Sequence, residues 1–286
     1  MQTHQLRPLA SFGPTMIHRT ATHYEFVALT DVGRVRANNE DAVGVNEVTN
    51  IAILADGMGG YNAGEVASSM AVEYVNAHMV RLLQELGADV TPTEMRIALE
   101  MCISGANRNI LESALTTPQY LGMGTTLVVG LFRSDRLLLA HVGDSRCYRL
   151  RDGALQQITH DHSWLQEQMD AGLITAQQAI DSDHGNLVTR ALGVETSVQI
   201  EINEFPVEAQ DLYILCSDGL TDMIGDDDLA ALAKAPAPLV EKAQRMIQLA
   251  NAMGGRDNIS VVLVQTAGQK QKVIKPGLMS RLLRSY

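Results

Sequence analysis

A chain of 286 residues that is 46% hydrophobic and 19% charged can bury a sizeable core, which excludes a disordered or fibrous protein. Its net charge of −11 conceals an asymmetry: residues 267–286 hold Lys270, Lys272, Lys275, Arg281 and Arg284 with no acid, leaving −16 on the other 266 residues, a body that repels nucleic acid and suits carboxylates gathered around cations. No apolar run approaches the roughly 18–20 residues of a membrane span, the first twenty residues lack a signal peptide's apolar segment, and Cys102, Cys147 and Cys216 are too scattered for a disulfide framework or zinc site, so a cytoplasmic location is expected.

In chain order, 26–30 and 51–55 are short runs of β-formers and read as buried strands. Helical periodicity follows over 64–86 and 93–115, with Pro92 near the first turn of the second. Strands resume at 125–132 and 137–142. The stretch CYRLRDGALQQI then places Asp152-Gly153 between two alternating segments, a hairpin pattern. Helices are expected over 163–171 and 176–181, a strand at 212–216, helices over 227–233 and 239–253, and a last strand at 259–264. Gly254-Gly255 stops the final helix. Two long adjacent helices between groups of strands depart from βαβ alternation, so an α+β domain of mostly antiparallel sheets covered by helices is expected. Segments 1–22 and 267–286 differ in composition from 23–266 and read as extensions.

Acids recur where apolar strands end. Residues 51–55 run into Asp56-Gly57, 212–217 into Asp218-Gly219 and 137–142 into Gly143-Asp144, while Asp257 precedes 259–264. One Asp-Gly after a strand is ordinarily a turn. Several in one chain can meet at a common sheet edge, where their repulsion calls for cations. Oxygen-only ligands favour Mg²⁺ or Mn²⁺ over zinc. The pattern does not by itself identify a reaction.

Six motifs supply that step: Asp31-Val-Gly-Arg-Val-Arg36-Ala-Asn-Asn-Glu40-Asp41, Ala55-Asp56-Gly57-Met58-Gly59-Gly60, Gly122-Met-Gly-Thr-Thr126, Val142-Gly-Asp144-Ser-Arg146, Cys216-Ser-Asp218-Gly-Leu-Thr-Asp222 and Gly254-Gly-Arg-Asp257-Asn258. In order and interval they resemble bacterial protein phosphatases of the 2C (PPM) type over about 24–266. The resemblance implies an α-β-β-α sandwich and two metal ions at one edge of its sheets, Mn²⁺ or Mg²⁺, with a third, weaker ion. Asp56 would bridge both inner ions, the Gly57 carbonyl would bind one, and Asp218 and Asp257 would complete their shells. Asp41 and Glu40 would hold metal-bound waters, Asp144 would serve the third ion, and Arg36 would bind phosphate. It further implies hydrolysis of phosphoserine and phosphothreonine in proteins by a metal-bridging hydroxide, without a phosphoenzyme. The opposing partner would be a bacterial Ser/Thr kinase or its substrates, and the chain would be a monomer.

The chain departs from this pattern in places. Eukaryotic members carry a histidine directly after the Asp-Gly pair, where Met58 stands; many bacterial members carry one after Gly-Met-Gly-Gly, where Tyr61 stands. The proton donor is therefore left open between a metal-bound water and Tyr61. His160 and His162 flank Asp161 in a metal-like spacing, read here as polar loop residues opening a helix at Ser163. Residues 163–198 match the family's flap, whose usual His-Pro is here His184-Gly185, with Trp164 expected to anchor its base. The three cysteines read as core residues. Rival readings are a catalytically weak phosphoprotein-binding relative and a hydrolase of small phosphoesters. In the tail, Leu278, Met279, Leu282 and Leu283 recur on one helical face beside Arg281 and Arg284; solvating tail and docking segment for an acidic partner or membrane surface both remain open.

Overall fold

The computed structural model describes residues 24–60, 63–87, 90–133, 135–180, 182 and 187–267. With strands numbered in chain order, one sheet runs β1 (Tyr24–Asp31), β11 (Ile259–Thr266), β10 (Leu212–Cys216), β7 (Arg146–Arg151), β8 (Ala154–Gln157). The other runs β2 (Asp41–Asn46), β3 (Ile51–Met58), β5 (Leu127–Arg133), β6 (Arg136–Val142), β9 (Glu201–Pro206), with β4 (Gly124–Thr125) paired to β3. The ladders are all antiparallel.

The period-2 alternation of apolar strands builds four layers. In β3, Ala52 and Leu54 point between the sheets toward Tyr213, Leu215, Val262 and Val264, while Ile51, Ile53 and Ala55 face outward. That outward face is covered by α1 (Ala63–Leu86) and α2 (Pro92–Thr116). On the first sheet, Ile214 and Cys216 of β10 and Val261 and Leu263 of β11 face α5 (Asp218–Thr221), α6 (Asp226–Lys234) and α7 (Leu239–Ala252). Residues 51–55 are at most 1% exposed. Burial on both sides is why they read as an unbroken apolar run, each Ile or Leu contributing about 1.5–3 kcal/mol.

Helix α2 starts where Pro92 predicts: the Thr91 hydroxyl accepts from the Glu94 amide, and the Glu94 carboxylate accepts in return from the Thr91 amide. The short α3 (Trp164–Asp170) is capped by Ser163 and followed by α4 (Ala176–Ile180). In α3 the buried residue is Leu165; Trp164, expected at the flap's base, is 39% exposed and its amide donates to the Leu187 carbonyl at 2.8 Å. The expected strand 125–132 breaks at Thr126 into β4 and β5. Strands β2 and β9 escape the sequence reading because each lies at a sheet edge with one neighbour, so neither needs a continuous apolar run. The extensions 1–22 and 268–286, Tyr61 and His184-Gly185 lie outside the described residues.

Candidate metal centre

The antiparallel register brings the acids together. Asp41, the first residue of β2, stands opposite Asp56 near the end of β3. Strand β10 runs out through Ser217 to Asp218 at the start of α5, and Asp257 sits two residues before β11, which pairs with β10. Gly219 lets the α5 backbone approach the Asn258 carbonyl so closely that any side chain there would collide with it. Asp144 follows β6 on the neighbouring sheet.

Hydrogen bonds hold the edge in place. The Asn258 side chain donates to the Val32 and Asn38 carbonyls at 3.0 and 2.9 Å and accepts from the Glu40 amide at 2.7 Å, pinning the loop between β1 and β2 over the site. The Gly57 amide donates to the Glu40 carbonyl at 3.1 Å. The Thr126 hydroxyl accepts from the Asp56 amide at 3.0 Å and shares a 2.8 Å hydrogen bond with the Ser145 hydroxyl, tying β3 to the loop that carries Asp144.

Burial and mutual repulsion push these carboxyls upward. Asp56 is raised well above the usual carboxylate range, by burial first and then by Asp41, Asp218, Asp144 and Asp257. Asp218 is raised likewise, by burial and then by Asp144, Asp222 and Asp257. Burial takes Asp41 to about 6 even though its Oδ2 accepts from the Ser217 hydroxyl at 2.8 Å. Asp144 is also raised to about 6, by burial and Asp161. Burial raises Glu40 against the pull of Arg36. Asp41 Oδ1 is buried with no hydrogen-bond partner. An orphaned carboxylate oxygen among crowded acids is what a site built for divalent cations presents, and the donor set, all oxygen, fits Mn²⁺ or Mg²⁺.

Arg36 is half-exposed and donates to Asp257 Oδ2 at 2.7 Å. It lines a cavity of about 1060 Å³ together with Asp144, Asp218, Asp222, Asp257 and Arg256, and with Leu165, Gln166 and Met169 of α3. Asp222 and Asn258 stand in the sequence only as letters of their motifs, with no role legible there. Asp222 lies one helical turn past Asp218, and its amide donates to the Asp218 carbonyl at 2.7 Å; that i+4 spacing was the available signal.

The two histidines of the HxH pattern separate. His160 is exposed and lies 3.2 Å from Asp170, whereas His162 is buried, stacked on His141 with centroids 4.7 Å apart and planes 13° apart, and 3.5 Å from Glu201. Among the described residues, His141, His162 and Glu201 bring one potential ligand atom each to within 4.8 Å of one another, closer than any three aspartates of the acidic edge approach. Two of the four ring nitrogens are already engaged, His162 Nδ1 by the Gly143 amide and His141 Nε2 by the His160 carbonyl. The cysteines are buried, with Cys102 and Cys216 pushed up by burial to about 12, as core thiols should be.

A family model for protein phosphatase 2C matches residues 33–263. The serine/threonine phosphatase stp of Listeria monocytogenes is 40% identical over 246 residues, which are 85% of this chain and 95% of that protein. The crystal structure of the Mycobacterium tuberculosis serine/threonine phosphatase PstP superposes with a TM-score of 0.76 at 39% identity, covering 85% of this chain and 99% of that one. A structure of the PstP catalytic domain in complex with two manganese ions gives 0.74 at 38% identity, covering 87% of this chain and all of that one.

Proposed function

The chain belongs to the protein phosphatase 2C family, and we propose that Asp56, Asp218 and Asp257 hold the two inner cations of its reaction, with the Gly57 carbonyl as a further ligand, Asp41 and Glu40 acting through water, and Asp144 serving a third ion. The reaction is the Mn²⁺- or Mg²⁺-dependent hydrolysis of phosphoserine and phosphothreonine in proteins. When bound, the cations supply an acidified water for attack on phosphorus and positive charge against the phosphoryl oxygens.

The protein's own residues do the rest. The β2–β3 register holds Asp41 against Asp56, and Ser217 orients one Asp41 oxygen so that the other stays available. Asn258 fixes the loop that carries Arg36 and Glu40. Arg36 and a divalent cation are alternative counter-charges for Asp257; with the cation in place the guanidinium is free to grip phosphate at the cavity mouth. Against a small-phosphoester hydrolase stands the size of the cavity, whose Gln166, Met169 and Arg256 extend well beyond what a lone phosphate requires. The finer assignment, a bacterial Ser/Thr kinase or its targets as the opposed partner, extends the same family reading.

The observation that carries the ligand assignment is the convergence of buried carboxylates around an unpartnered Asp41 oxygen. The test compares kcat/KM on phosphothreonine peptides and on small phosphoesters, with Mn²⁺ and after EDTA. Metal-dependent turnover favouring peptides is expected. Full activity after chelation, or turnover of small phosphoesters only, would overturn the reading.

A further inference from the structure

His162 lies outside the acidic centre, yet it holds the backbone from which Asp144 projects. Gly143, the residue before Asp144, has φ +103°, and a Cβ there would come within 2.6 Å of the Thr126 side chain, so its backbone has little latitude. His162 grips this residue twice. Its amide donates to the Gly143 carbonyl at 3.0 Å, and its ring Nδ1 accepts from the Gly143 amide at 3.1 Å. Because Nδ1 accepts, the ring proton is on Nε2, which faces Glu201 Oε2 at 3.5 Å. The ring is held in plane by His141, itself fixed by donating from Nε2 to the His160 carbonyl at 2.8 Å. Burial and the neighbouring His141 lower His162 to about 4, which keeps Nδ1 an acceptor at neutral pH.

We propose that His162 is a positioning residue for the outer cation site: its Nδ1 fixes the Gly143 amide, and through it the direction in which the Asp144 carboxylate meets Asp218 and Asp222. This rests on the reading of Asp144 as a ligand of a third ion. The clamp is continuous with the flap, since residue 163 caps α3 and the His162 carbonyl accepts from the Thr189 amide at 2.8 Å. Asp161 adds a second tie by accepting both Arg146 Nε and Nη2, at 2.9 and 2.7 Å to its Oδ2.

The experiment titrates the full-length enzyme with Mn²⁺, reading both turnover and bound metal, for wild type, Asp144→Ala, His162→Leu and His162→Asn. Leucine keeps much of the volume and deletes the acceptor, whereas the asparagine carbonyl can take the Nδ1 position. His162→Leu is expected to raise the Mn²⁺ concentration for the weak site about tenfold, in the range typical for residues that orient a ligand. The two tight ions and KM for phosphopeptide should stay near wild type, and His162→Asn should recover most of the loss. A folded His162→Leu with wild-type Mn²⁺ dependence, beside an Asp144→Ala that shifts it, overturns the role of His162 alone. An Asp144→Ala with unchanged Mn²⁺ dependence overturns the third-ion reading and this inference with it. Should His162→Asn fail as badly as leucine, the ring acts by stacking rather than as an acceptor and the proposal falls. If the leucine variant does not fold, His162→Gln replaces it; its amide reaches toward the Nε2 position and should shift the weak site as leucine would, and wild-type behaviour would overturn the clamp.

Discussion

At the residue scale, Asp41 has one oxygen satisfied by Ser217 and the other buried and unpartnered, and burial raises the group to about 6. A carboxyl whose folded pKa lies above its unfolded value of 3.8 favours the fold while protonated and loses that contribution as pH rises through the interval. Asp41 and Asp144 place this loss between about pH 4 and 6, and Asp56 and Asp218, raised by the same burial and crowding, act in the same direction. In EDTA the melting temperature should therefore fall as pH rises from 5 to 7.5, and saturating Mn²⁺ should flatten the slope; a rise across that window would contradict the crowding. Asp218→Ala should reduce kcat by more than tenfold, about 1.4 kcal/mol of barrier, without lowering the metal-free melting temperature, because it relieves repulsion. Under the proposed role of Arg36, Arg36→Ala should act mainly on KM for phosphopeptide, because a half-exposed guanidinium in the cavity lining would grip phosphate in ground and transition states alike. A fall in kcat with unchanged KM would show a role confined to the transition state.

At the scale of elements, β10 has chemistry at one end and a structural lock at the other. Before its first residue, Asp211 is 1% exposed and accepts from Arg151 Nε and Nη2 at 2.8 and 2.6 Å, from the Tyr213 hydroxyl at 3.0 Å and from the Glu208 amide at 2.8 Å. Burial would raise this carboxyl, but those donors outweigh it and hold it below the usual range. The network joins β7 to the turn entering β10 at the end of the sheet away from Asp218. Asp211→Ala should therefore cost about 1–3 kcal/mol of stability, read by denaturant melts, because it leaves the buried Tyr213 hydroxyl without its acceptor, while Arg151 keeps Glu208 and the Pro206 carbonyl. kcat/KM of the remaining folded enzyme should be unchanged, and a loss of activity without a loss of stability would disprove the separation.

At the scale of the molecule, the acidic body and basic tail divide the chain electrostatically. Among the described residues no helix is long and apolar enough to cross a membrane. Truncation after Thr266 should spare p-nitrophenyl phosphate hydrolysis while weakening binding to anionic vesicles at low salt, each lost cation costing about 1 kcal/mol. Equal vesicle binding with and without the tail would leave it a solvating segment. The sequence alone determined the fold class, the metal chemistry and the family, because buried strands leave apolar runs and the aspartates at their ends sit in short, ordered motifs. Tertiary structure decided what sequence distance hides. Strands β2 and β9 show as edges only once the sheets exist, and beside the half-buried Trp164 it is Leu165 that the fold buries. The HxH histidines part, His162 turning from a loop residue into the support of Gly143, because a hydrogen bond across nineteen residues leaves no periodic trace in the chain.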